Sequence, residues 1–154
     1  MQKLILLILL TLSLQGFTID QLNILKKAKD YGRSLNLSYS LQAIVWQESS
    51  AGVQRENYIS GCFGIGHIRL RTYLDRHKIK RTYKNQLIYK HLLTYNDDLN
   101  LQAMVDELEF WLKVHDGNFL KSWASYFAGY DVKAGLSYAR DIQAKIKQLK
   151  KMNL

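Results

Sequence analysis

Apolar residues recur at three- and four-residue steps along most of the chain, and no proline interrupts them in 154 residues. That period decides the architecture: a step near 3.6 builds one face of a helix, whereas a half-buried strand needs strict alternation. No run alternates convincingly, so the pattern predicts an all-α chain. Asp20 is suited to cap a first helix carrying Leu22, Ile24, Leu25, Ala28 and Tyr31. Gly32 and residues 34–38 break it. Ser38 or Ser40 opens a strongly apolar helix in which Leu41, Ile44, Val45 and Glu48 share one stripe, and Gly52 ends it. The glycine-bearing stretch 53–66 reads as a loop. Further helices are expected at 70–77, 84–94, 99–114, 119–130 and 133–150. Asn96-Asp97-Asp98 forms a capping region and Asp116-Gly117-Asn118 a turn. Without repeats or a low-complexity linker, residues 17–154 read as one domain.

The first residues have a different character. A positive start, Met1-Gln2-Lys3, precedes an apolar run from Leu4 to Leu10, a weaker continuation to Leu14, and Gln15-Gly16. That layout predicts a secretory signal peptide over 1–16. The run falls short of the ~20 apolar residues a bilayer-spanning helix needs. A retained N-terminal anchor is the alternative, because Leu14 fits poorly ahead of a cut after Gly16. Both readings export the body of the protein, to the periplasm or the cell wall.

Cys62 is the one cysteine, so no intramolecular disulfide is possible and stability must come from core burial. Between Gly61 and Phe63 it reads as a small buried residue, not a nucleophile, which would need a base and a lowered pKa. The net charge of +9 suits polyanionic surroundings. Basic residues are denser at 69–84 and 145–151, but spread enough that solvated helix faces explain most of them.

Among four glutamates, three have bland explanations. Glu56 lies beside Arg55 in a polar loop, while Glu107 and Glu109 share a helix with Lys113 and read as solvated or surface-paired. Glu48 is different. It stands on the last turn of a helix that otherwise reads as core, one turn after Ile44 and Val45. A carboxyl at the edge of an apolar core loses hydration, which disfavours its charged form and suits it to donate a proton.

The residues downstream of Glu48 have an order of their own. Glu48-Ser49-Ser50-Ala51-Gly52 precedes Ser60-Gly61-Cys62-Phe63-Gly64-Ile65-Gly66-His67-Ile68, then Ala124-Ser125-Tyr126-Phe127-Ala128-Gly129, then Tyr138 in the final helix. From Ser38 to Ile142 this resembles the soluble lytic transglycosylase family, relatives of goose-type lysozyme. Each piece is weak alone; the order and spacing together are specific. The resemblance implies a lysozyme-like helical domain with a substrate groove, and no cofactor. It implies Glu48 as the single general acid/base that cleaves the β-1,4 bond from N-acetylmuramic acid to N-acetylglucosamine. Ser49 would hold the helix end. Gly64 and Ile65 would let the glycan approach the backbone, and Ser60, His67, Tyr126 and Tyr138 would contact substrate or lie near the acid. Three positions depart from the family pattern: Gly66 stands for Met, His67 for Gln and Phe127 for Asn.

In this family the sugar's own C6 hydroxyl is the nucleophile, so one carboxyl protonates the leaving oxygen and then deprotonates that hydroxyl. Products carry 1,6-anhydro ends. Ordinary glycosidases need two carboxylates, and none is evident beside Glu48 in the sequence. A water-using muramidase, and a silent peptidoglycan-binding component of an envelope machine, stay open as alternatives. The expected partners are peptidoglycan glycan strands and an envelope-spanning secretion or conjugation apparatus. A monomer is expected, and no nucleic acid. The four histidines lack metal-ligand spacing, and neither a Gly-x-Ser-x-Gly elbow nor a phosphate-binding glycine loop occurs.

Overall fold

A computed structural model describes residues 16–154. The expected leader lies outside the described residues except for Gly16. Among these residues the fold is mostly helical: α1 (Ile19–Tyr31), a 3-10 turn (Arg33–Leu35), α2 (Ser38–Ser49), α3 (Leu70–Arg76), α4 (Tyr83–Tyr95), α5 (Asp97–Val114), α6 (Phe119–Ala128) and α7 (Val132–Lys151). None of these helices is long and apolar enough to cross a membrane.

The loop expected at 53–66 and the residues just after it contain structure that the sequence did not suggest. Three two-residue strands, β1 (Glu56–Asn57), β2 (Cys62–Phe63) and β3 (Ile68–Arg69), form a small antiparallel sheet. Glu56 pairs with Phe63, and Phe63 with Ile68. Two residues carry no readable period, which is why periodicity passes over them.

Local chemistry explains the helix ends. Thr18, not Asp20, caps α1: its hydroxyl accepts from the Gln21 amide while the Gln21 side chain accepts from the Thr18 amide, a reciprocal box that Asp20, already inside the first turn, cannot make. Thr82, Asn96, Asn118 and Asp131 cap α4, α5, α6 and α7, each side chain accepting one amide of the first turn. Helix α2 ends at Ser49, earlier than Gly52, because Ser50 and Ala51 already turn left-handed at φ 51° and 56°.

Seven of the twelve residues of α2 are buried, so it runs through the interior instead of lying on it. It packs against α1 and α7, with α5 touching it as well. Leu41, Ile44 and Val45 join Leu101, Met104, Leu108, Ala139 and Ile142 in one core cluster. Trp123 closes this layer by donating its indole N–H to the Ser40 hydroxyl at 3.2 Å. Glu48 is therefore carried on a helix packed between other helices.

Helices α6 and α7 approach so closely that a Cβ at Gly135 would collide with the backbone of Ala124, its carbonyl oxygen first. Overpacking of this kind costs about 1–3 kcal/mol. Gly135→Ala is accordingly expected to lower the thermal midpoint by roughly 5 °C or more, as read by circular dichroism.

Candidate functional site

The last turn of α2, the sheet, α3, α5 and α6 enclose a cleft of about 550 Å³. Glu48 lies on its wall with only 17 % of its side chain exposed. Ser49 anchors the turn that presents it: the Ser49 hydroxyl donates to the Val45 carbonyl at 3.0 Å and accepts from the Gly52 amide at 2.8 Å. Ser49 is wholly buried, so it fixes the helix end without facing the cleft.

Opposite Glu48 stands His67. Its Nδ1 is 3.4 Å from a Glu48 carboxyl oxygen, and its Nε2 is 2.8 Å from the Gln54 carbonyl. A carbonyl can only accept, so Nε2 carries a proton and Nδ1 is the nitrogen that faces the acid. Burial lowers the ring's proton affinity. The Glu48 hydrogen bond, the Gln54 carbonyl and the Glu48 charge together outweigh it, and the ring ends above its ordinary 6.5. His67 also adopts φ 47°, an uncommon conformation for a residue with a side chain.

The segment that carries His67 is held by a residue that no sequence pattern singles out. Asn100, fully buried on α5, donates to the carbonyls of Phe63 at 2.9 Å and Leu93 at 3.0 Å and accepts from the Gly66 amide at 2.8 Å. Tyr126 adds a tie from α6 by donating to the Gly66 carbonyl at 2.8 Å. Its ring lines the cleft, but its hydroxyl is engaged with this backbone.

This arrangement corrects the expectation for Gly64 and Ile65. Gly64 is buried at φ 84°, and a Cβ there would meet the Asn100 amide and the Leu93 carbonyl. Glycine is required for internal packing, not for approach by a glycan. Ile65 is a core residue with no exposed surface. Gly66 has a similar explanation: the Met104 side chain occupies the space that a Cβ would need. A methionine from α5 thus fills volume beside the position where the family resemblance expects one.

Tyr138 is buried behind the cleft. Burial first, then the Glu48 charge, pushes its hydroxyl well above the usual phenol range. That hydroxyl has no formed hydrogen bond and lies within reach of Glu48. Phe127, mostly exposed, stacks on the Tyr138 ring with centroids 5.0 Å apart. Ser60 stands exposed at the cleft rim.

The far end of the cleft contains groups missed in the sequence. Glu107 is paired and not solvated, and its charged partner comes from α3: its two oxygens take Arg76 at 2.6 Å and the Trp111 indole N–H at 2.7 Å. Asp106 accepts from Gln102 at 2.8 Å and faces His77 at 3.7 Å. Glu109 is exposed, as expected. Glu56 points elsewhere and accepts from Tyr58 at 2.7 Å, while Arg55 pairs with Asp97. Among the described residues no His, Cys, Asp and Glu cluster could hold a metal ion.

Over 119 residues, 77 % of its length, the chain is 32 % identical to an uncharacterized 20.7 kDa protein of Enterobacteria phage T4 from the vs-regB intergenic region. The match spans 65 % of that relative's length. No family model and no solved structure matches the chain.

Asn100→Ala strands two carbonyls and an amide in the interior and is expected to cost about 3 kcal/mol or more, measured by urea unfolding. The Glu48–His67 pairing raises the folded value of the histidine, so its stabilisation is complete below pH 6.5 and fades as pH rises through that folded value. The stability gap between the wild type and His67→Gln should therefore be wide at pH 5.5 and narrow on the alkaline side.

Proposed function

We propose that the chain is an exported, lysozyme-like peptidoglycan lytic transglycosylase in which Glu48 is the single general acid/base. The observation that carries this reading is the condition of the carboxylates around one cleft. Glu48 presents its carboxyl at the cleft wall, whereas Glu107 is tied to Arg76 and the Trp111 indole and Asp106 accepts from Gln102. A two-carboxylate hydrolase needs a second free group to activate water or attack the sugar. With those two engaged, a mechanism that takes its nucleophile from the substrate fits better.

In that mechanism the Glu48 carboxyl gives its proton to the glycosidic oxygen as the bond from the anomeric carbon breaks. The carboxylate left behind removes the proton from the C6 hydroxyl, whose oxygen bonds to the anomeric carbon and closes the 1,6-anhydro ring. Glu48 regains its proton, so the cycle closes with no water consumed. Tyr138 supports the reading because it is a hydroxyl without a partner beside the acid. Tyr73, Tyr126, Phe127 and Tyr130 support it by lining the cleft with flat faces on which sugar rings stack.

Glu48→Gln should lower release of soluble fragments from purified sacculi by about 10²-fold or more, the usual contribution of a positioned acid/base, while leaving the fold intact. Mass spectrometry of the released muropeptides should find 1,6-anhydro ends. Reducing ends would instead identify a muramidase, and undiminished lysis by the variant would reject the role of Glu48.

A further inference from the structure

With Glu48 taken as the glycan-cleaving acid, we propose that His67 is its proton-holding partner, the imidazole and the carboxyl sharing one proton. In this role His67 is a positioning residue and not a sugar contact.

The geometry leaves the ring little else to do. Nε2 is committed to the Gln54 carbonyl at 2.8 Å in every ionisation state, because that partner can only accept. Nδ1 is consequently a lone pair when the ring is neutral and an N–H when it is cationic, and in both cases it faces the Glu48 carboxyl. A protonated carboxyl donates to the lone pair; an ionised one accepts from the N–H. The two arrangements differ by the position of a single proton.

The pair is set among groups that hold their protons more tightly than usual. Facing it are Cys62 from β2, Tyr126 from α6 and Tyr138 from α7, all three pushed upward by burial. The charge of Arg69 from β3 is felt at Cys62, and that of Glu107 from α5 at Tyr126.

An isolated glutamate is ionised above about pH 4–5 and would have no proton to give at neutral pH. Here the one shared proton passes from Nδ1 to the carboxyl oxygen and on to the glycosidic oxygen as that bond breaks. The ring then becomes neutral, the carboxyl is an anion, and the leaving sugar carries a new O–H. When Glu48 takes the C6 hydroxyl proton, that proton relaxes back to Nδ1 and restores the starting pair.

The test is nitrogen-15 NMR of the histidine rings in the whole protein. In the wild type, the neutral His67 ring should be the Nε2–H tautomer, and in Glu48→Gln its titration midpoint should fall by about one pH unit or more. An Nδ1–H tautomer in the wild type, or a midpoint unmoved by the substitution, would overturn the proposal. In parallel, His67→Gln should shift the alkaline limb of the lysis profile downward by about one pH unit; an unmoved limb would also count against it. The NMR arm needs no cell-wall substrate. Should Glu48→Gln still lyse sacculi, the assigned activity fails while the titration independently reports on the pair.

Discussion

One buried amide organises the region on which the cleft depends. Asn100 sits in the interior of α5 and satisfies three backbone groups from two different segments, those of Phe63, Gly66 and Leu93. Buried backbone groups must find partners, and a tight turn cannot supply all of them from its own length. By meeting this requirement from a helix already locked in the core, Asn100 fixes the sheet and the turn after it as one body. Gly64 and Gly66 owe their identity to the same contact region, since Asn100 and Met104 on successive turns of α5 leave no room for side chains there. His67 inherits its position from that packing.

Rigidity converges on Glu48 from the opposite side. The helix that bears it is buried on nearly every face, and its end is stitched by Ser49 before the chain turns left-handed through Ser50, Ala51 and Gly52. A carboxyl and an imidazole from segments that are separately anchored meet without either needing to reorganise. Preorganisation of this kind means that no free energy is lost in orienting the two groups toward each other.

The helices and the position of Glu48 are legible in the sequence because both express themselves locally. Periodicity locates each helix to within a few residues at its ends, and the same stripe that contains Ile44 and Val45 brings Glu48 to the core's edge. The two-residue strands have no period, so only their pairing with one another defines them. Glu107 reads as a surface charge because its partner Arg76 lies 31 residues away on a different helix. Asn100 carries no local signal at all. At Gly64 the chain demands glycine, as its sequence context suggests, but the cause is an approaching side chain and not an approaching ligand. A steric constraint is easily read from sequence; its source is not, when that source comes from a distant element.

Cys62 shows how the cleft's construction affects the chemistry of a thiol. Its sulfur is partly shielded in β2, and burial raises the thiol above its ordinary value despite the opposing pull of Ser60 and Arg69. Thiolate, not thiol, is the form that exchanges with disulfides or is oxidised. In an oxidising solvent this sulfur therefore stays reduced longer than one displayed on the surface, and two copies of the chain have little tendency to become cross-linked through it.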